Sequence, residues 1–157
     1  MSRSRRIAPW TAAMVILVSG AALAAGLTGA DALKDRQSHM KGMGAATKAI
    51  GEQFHSGKPD MSVVQAEAAK IDAAAQQLPN WFPAGSGATT GLKTEALPVI
   101  WTDPSGFAAK AHALAVAAHD FDAAVKAGDS AAIGATGNKL GAACKGCHET
   151  YRAKEKT

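Results

Sequence analysis

Apolar positions recur every three to four residues along most of this chain, a spacing that predicts helices and argues against strands. From Ala32 to Phe54 the series Leu33, Arg36/Gln37, Met40, Met43/Gly44, Thr47, Ile50/Gly51 and Phe54 alternates steps of three and four. His55-Ser56-Gly57-Lys58-Pro59 ends that helix with turn chemistry. A second helix starts after Asp60, an N-cap residue, and carries Val64, Ala68, Ile71, Ala75 and Leu78 before Pro79 stops it. A third opens on Asp103-Pro104, a cap and first-turn pair, with the stripe Phe107, Ala111, Leu114, Ala118, Phe121 and Val125. After the tight turn Ala127-Gly128-Asp129, the last helix repeats the spacing through Ile133, Gly137, Leu140, Cys144, Cys147 and Tyr151.

Residues 79–103 form the one long connection, with Pro79, Pro83 and Pro98 and a Gly-Ser-Gly run at 85–87. A loop of this length in a small domain either does something or crosses the fold. Trp81, Phe82, Leu92, Leu97, Ile100 and Trp101 predict that it lies against apolar surface. Four helices, two short turns and a long crossover between helices 2 and 3 predict an all-α, antiparallel four-helix bundle.

The 157 residues suffice for one domain and a leader. A basic head (Met1 to Arg6), an uncharged run from Ile7 to Ala30 and an Ala-x-Ala ending are the parts of a secretory signal peptide. The expected boundary lies near residue 25, with cleavage between 24 and 30, leaving a mature domain over 31–157. The alternative is an uncleaved membrane anchor, since the run is just long enough to span. Either way the chain is exported, and the periplasm is its expected compartment. Ser4-Arg5-Arg6 also hints at a twin-Arg signal, a route for folded cargo. Three of the 17 basic residues lie in the head and all 13 acidic residues follow residue 30, so the body carries 14 against 13, a net +1. Nucleic acid would want a concentrated basic face, and none is present.

The chemistry concentrates in Cys144-Lys145-Gly146-Cys147-His148. Two thiols two residues apart, with histidine directly after, fit covalent attachment of one haem c. Each sulfur would form a thioether with a porphyrin vinyl group, and the imidazole would supply an axial ligand to iron. Both cysteines fall on the inward stripe of the last helix, so a haem would sit inside the bundle. A redox CxxC pair would want a βαβ setting, a zinc site further ligands, and a disulfide within so short a helical loop would be strained.

The sequence resembles the cytochrome c′ family, the class II c-type cytochromes, over about Leu33 to Lys156. Arg36-Gln37-Ser38-His39-Met40-Lys41, Leu78 to Pro83, Leu97-Pro98-Val99-Ile100-Trp101, Ala127-Gly128-Asp129 and the stretch from Gly141 through the haem motif to Arg152 carry the resemblance. It implies His148 as the proximal ligand. High-spin members carry an aliphatic or aromatic residue four positions after an Arg or Lys like Arg36, whereas low-spin relatives carry a methionine there that becomes the sixth ligand. Here that residue is Met40, so the resemblance is closest to the low-spin, Met/His-ligated members. Read from the residues alone, Met40 is a core side chain on an apolar stripe, with Met43 as a rival thioether. His39 is turned about 100° from Met40 and belongs to a flank. Arg36 suits a haem propionate, or is a solvated helix charge. Arg152, one turn after His148, matches a basic residue that relatives keep near the proximal imidazole, or answers the helix macrodipole. Lys145, the tail from Lys154 to Lys156, and His112 and His119 read as surface or flank residues.

The expected function is a periplasmic one-electron carrier between redox protein partners, with His148 and Met40 as axial ligands. The alternative is a five-coordinate, high-spin protein that binds gases such as NO or CO, with Met40 as core only. A bundle without haem is a third reading. No carboxylate pair or nucleophile–base set points to an enzyme. The resemblance also implies a homodimer through helices 1 and 2, and the membrane is a partner only if the leader is retained.

Overall fold

Aspartates start three of the long helices. The Asp60 carboxylate accepts from Ser62 N at 2.9 Å and opens α2 (Met61–Gln77). Asp103 accepts from Gly106 N at 3.0 Å and opens α4 (Pro104–Ala127), with Pro104 in the first turn. Asp129 takes Ala131 N and Ala132 N, both at 3.0 Å, to open α5 (Ser130–Tyr151). Each cap satisfies backbone donors that the helix itself leaves unpaired. The helix α1 (Gly29–His55) comes before them, and a single turn, α3 (Val99–Thr102), lies inside the crossover. Between α4 and α5 the chain reverses at Gly128, whose φ of 71° is left-handed and suits glycine. This computed structural model describes residues 29–154; the signal peptide expected over 1–25 and the last three tail residues lie outside them.

The bundle is all-α, as the apolar periodicity predicts, with four long helices and one long crossover. α1 packs on α2, α2 on α4 and α4 on α5. Asp72 meets His119 at 3.5 Å while Gln76 donates to Ala115 O, so α2 and α4 run antiparallel. The α2 stripe Val64, Ala68, Ile71, Ala75 and Leu78 is buried throughout, as is the α4 stripe from Phe107 to Val125. Two expected apolar contacts differ. Phe54 is 42% exposed and Leu92 40%. Phe54 lies near the end of α1 and walls a gap towards α5, and Leu92 sits between exposed Gly91 and Lys93 in the crossover. Among the described residues no helix is long and apolar enough to cross a membrane.

The crossover is built, not loose. Short 3₁₀ turns cover Leu78–Trp81 and Ala88–Thr90, and Trp81 and Ile100 are buried. Trp101 Nε1 donates to the carbonyls of Phe82 and Pro83, each at 3.1 Å. The main fastening comes from α1. Arg36 is only 3% exposed, and its guanidinium donates to Trp81 O (3.2 Å), Ser86 Oγ (2.9 Å), Ser86 O (2.9 Å) and Thr94 Oγ1 (3.3 Å). It also lies over the Phe82 ring, 4.6 Å from the centroid. Downstream, Leu97 N donates to Tyr151 O (2.9 Å) and Ala153 N to Glu95 O (2.7 Å), an isolated antiparallel bridge that ties the crossover to the end of α5.

Two expectations follow. Arg36→Leu should cost about 3 kcal/mol in chemical denaturation, because it strands buried acceptors that a charged donor had satisfied. Arg36→Lys should recover only part, since one ammonium cannot serve four divergent acceptors. The second concerns acid. Hydrogen bonds from Gly106 N, then Ser105, hold the Asp103 carboxyl below its ordinary pKa of 3.8. A depressed folded-state pKa means that the cap's contribution is complete above 3.8 and is lost as pH falls through the lower folded value. Melting curves followed by circular dichroism should therefore fall less steeply with acid in Asp103→Asn than in the wild type. Identical slopes would reject this account.

Candidate functional site

Cys144 and Cys147 stand one turn apart on α5, half-buried, and both pack against the hydrophobic core. Burial pushes both thiol pKa values up; at Cys147 the neighbouring Cys144 adds to the shift and Lys110 opposes it. A redox CxxC pair needs the opposite, a thiolate stabilised by a cationic or dipolar setting. A thioether has no such need, because its sulfur ends uncharged. Among the described residues no three His, Cys, Asp or Glu side chains cluster as metal ligands.

His148 faces elsewhere. It lines a surface hollow with Lys145, Glu149, Arg152, Ala153 and Lys154. Nearby protein atoms strip enough water from the ring to push its pKa down, the Arg152 cation adds to that shift, and Glu95 works against it. Both leading causes favour the neutral imidazole, the form that binds metal. Arg152 donates from Nε to Glu95 Oε2 at 2.6 Å, and its backbone N–H reaches His148 O at 3.1 Å.

A cavity of about 490 Å³ opens between α1 and α5. Thr47, Ile50 and Phe54 wall it on α1, while Ile71 and Phe121 close its floor from α2 and α4. On α5 the wall includes Gly134, Gly137, Gly141 and Cys144. The glycines thin that wall between Ile133, Asn138 and Leu140, and a Cβ at Gly137 would stand 3.4 Å from the Phe121 ring. An apolar gap with a sulfur in its wall, a second sulfur one turn on and an imidazole next in the chain fit a covalently held haem c.

The residues expected on the opposite helix divide. Met40 is half-buried and packs against the same core as the two cysteines, although it does not line the cavity; Met43 is placed likewise. Arg36 is not the solvated helix charge that one reading of the sequence allowed. Its terminal nitrogens are committed to Trp81, Ser86 and Thr94, so a propionate would meet Nε–H or compete with the loop. His39 is exposed, as a flank residue should be, pairs with Asp35 at 3.3 Å, and stacks on Trp81 with centroids 4.5 Å apart. His112, Lys145 and Lys154 are exposed, and His119 is exposed beside Asp72. Glu95, Thr94 and Ser86 were not singled out in the sequence, where nothing in composition or spacing marks a loop residue as the partner of an arginine 50 or more positions away.

The family described as Cytochrome C′ matches residues 31–152. Cytochrome c′ of Rhodopseudomonas palustris is 39% identical over 146 residues, covering 92% of this chain and 94% of the relative. Among solved structures, cytochrome c′ from Thermochromatium tepidum superposes with a TM-score of 0.77 at 26% identity, over 83% of this chain and all of the other. A ferrous variant of the Alcaligenes xylosoxidans cytochrome c′ with bound NO gives 0.72 at 26% identity, over 82% and 98%. Another cytochrome c′, described as having an unusual ligand-controlled dimer dissociation, gives 0.75 at 27%, over 83% and 100%. Two cysteines are all that this chain has to carry a thioether-linked cofactor, and with its fold and family match they make it a member of the cytochrome c′ family, with one covalent haem c as its cofactor.

Proposed function

We propose that this chain is an exported, periplasmic haem c protein that binds a small diatomic gas, NO or CO, at iron carried on α5. The observation that carries the reading is the close structural likeness to cytochromes c′ that include an NO complex. Haem iron supplies a site for diatomic ligands and a one-electron couple when bound. The chain's own residues do the rest. Cys144 and Cys147 hold the group covalently against the core, and His148 donates its neutral imidazole from the side that Arg152 and Glu95 line. On the other side α1 offers the uncharged side chains Thr47, Ile50 and Phe54, with Met40 packed against the core. Nothing in this reading asks for a catalytic side chain.

A second reading has a specific observation behind it. Met40 stands one turn after Arg36, half-buried against the core that also receives both cysteines. If its thioether is the sixth ligand, the protein is an electron carrier between redox partners, with both axial positions filled in either oxidation state. A homodimer is compatible with both readings and is supported by the neighbour with ligand-controlled dimer dissociation; α1 and α2 would be its faces.

Carbon monoxide titration of the ferrous protein separates the two. For the gas-binding reading the wild type should be high-spin and take up CO readily, with Met40→Ala binding within about tenfold of it. Should the wild type be low-spin and Met40→Ala bind CO far more tightly, the carrier reading replaces it.

A further inference from the structure

One acidic side chain stands where the family match assigns nothing. Glu95 lies on the crossover immediately after Thr94, the residue whose hydroxyl accepts from Arg36 on α1. Its carbonyl receives Ala153 N at 2.7 Å, and its carboxylate receives Arg152 Nε at 2.6 Å. Arg152 sits one turn after His148, so this carboxylate holds a cation beside the helix turn that presents the imidazole. Both side chains remain partly in solvent, at 40% for Arg152 and 58% for Glu95. An exposed pair contributes little to stability, so its two charges matter chiefly for what lies next to them.

We propose that Glu95 is a positioning residue for the proximal side: it holds the Arg152 guanidinium beside His148 and offsets its charge there. The proposal rests on haem c being attached at Cys144 and Cys147 with His148 as ligand, and it stands whichever group occupies the opposite side. Ferric haem carries one more positive charge than ferrous. A nearby anion therefore favours the ferric state and a nearby cation the ferrous one. Glu95 and Arg152 pull the reduction potential in opposite directions, and their pairing keeps the sum small.

The test is spectroelectrochemical titration of the mature haem-loaded protein and of Glu95→Gln, Arg152→Gln and the double variant. Glutamine at 95 keeps the reach and the backbone bond to Ala153 while removing the charge. The potential should rise in Glu95→Gln, fall in Arg152→Gln and return towards the wild-type value in the double variant. Both single shifts should shrink as ionic strength rises, because the pair is exposed and screened. A purely structural role would move the two single variants the same way and would not respond to salt. Haem c content by pyridine haemochrome and thermal unfolding are read on every variant. A wild type without haem c overturns the proposed function together with this inference. Full haem loading with potentials that stay put, or shift alike, overturns this inference alone.

Discussion

A buried guanidinium holds this bundle's longest connection in place. Arg36 is removed from water at a cost that its four hydrogen bonds and the Phe82 ring offset, and its acceptors are two carbonyls and two hydroxyls, all uncharged. Burial accordingly lowers its pKa from the usual arginine range, where it remains charged. The consequence is geometric. Residues 78–103 would otherwise be a long closure with few local constraints. Pinned at Trp81, Ser86 and Thr94, the connection becomes a fixed strap across one end of the bundle.

That strap joins both helices that face the cavity. Thr94 accepts from α1, and the next residues, Glu95 to Leu97, pair with the end of α5. Phe82, beneath Arg36, meets Phe107 edge-on at 4.8 Å, and Phe107 meets Tyr151 at 5.3 Å, so an aromatic series runs from α1's arginine to the last residue of α5. Tyr151 OH then donates to Asp103, the cap of α4. At this point α4's third residue, Gly106, has no room for a side chain, since a Cβ would stand 2.1 Å from the Asp103 carboxylate. One end of the molecule is thus closed by polar bonds and rings. The α1–α5 side stays open where small residues leave a gap.

How much of this the sequence discloses depends on the range of the interactions. The α2 and α4 stripes are legible because burial there follows the helical repeat residue by residue, and the aspartate caps because their chemistry acts within three residues. α1 is less legible. Its stripe predicts Thr47 and Phe54 inward, but both wall a cavity instead of meeting a neighbouring helix. The short turns within the crossover carry no periodic signal at all. Arg36's partners lie 45 to 58 positions away and Arg152's lies 57 away; such pairs exist only once the strap is folded. The cysteine pair and the histidine after it are the opposite case, a site written in five consecutive residues.

The division of labour around that site follows from where α5 points its donors. The two sulfurs go inward, into surroundings that raise their pKa and suit uncharged sulfur, while the imidazole goes outward to a hollow lined by Lys145, Glu149 and Arg152. Most of the charge lies on the histidine side, and Lys110 of α4 adds a cation near Cys147. Facing it, α1 offers half-buried thioethers at Met40 and Met43, and its one buried cation is already spent on the crossover. On the proposed reading, electrostatic tuning would come from the crossover and the end of α5, and ligand choice from α1. Glu95 and Arg152 would act on the haem through their charges, whereas Met40 would act by filling or leaving free a position at the iron. On the reading proposed above, the choice between an electron carrier and a gas binder on this scaffold would turn on Met40, with the strap, the cavity and the covalent attachment common to both.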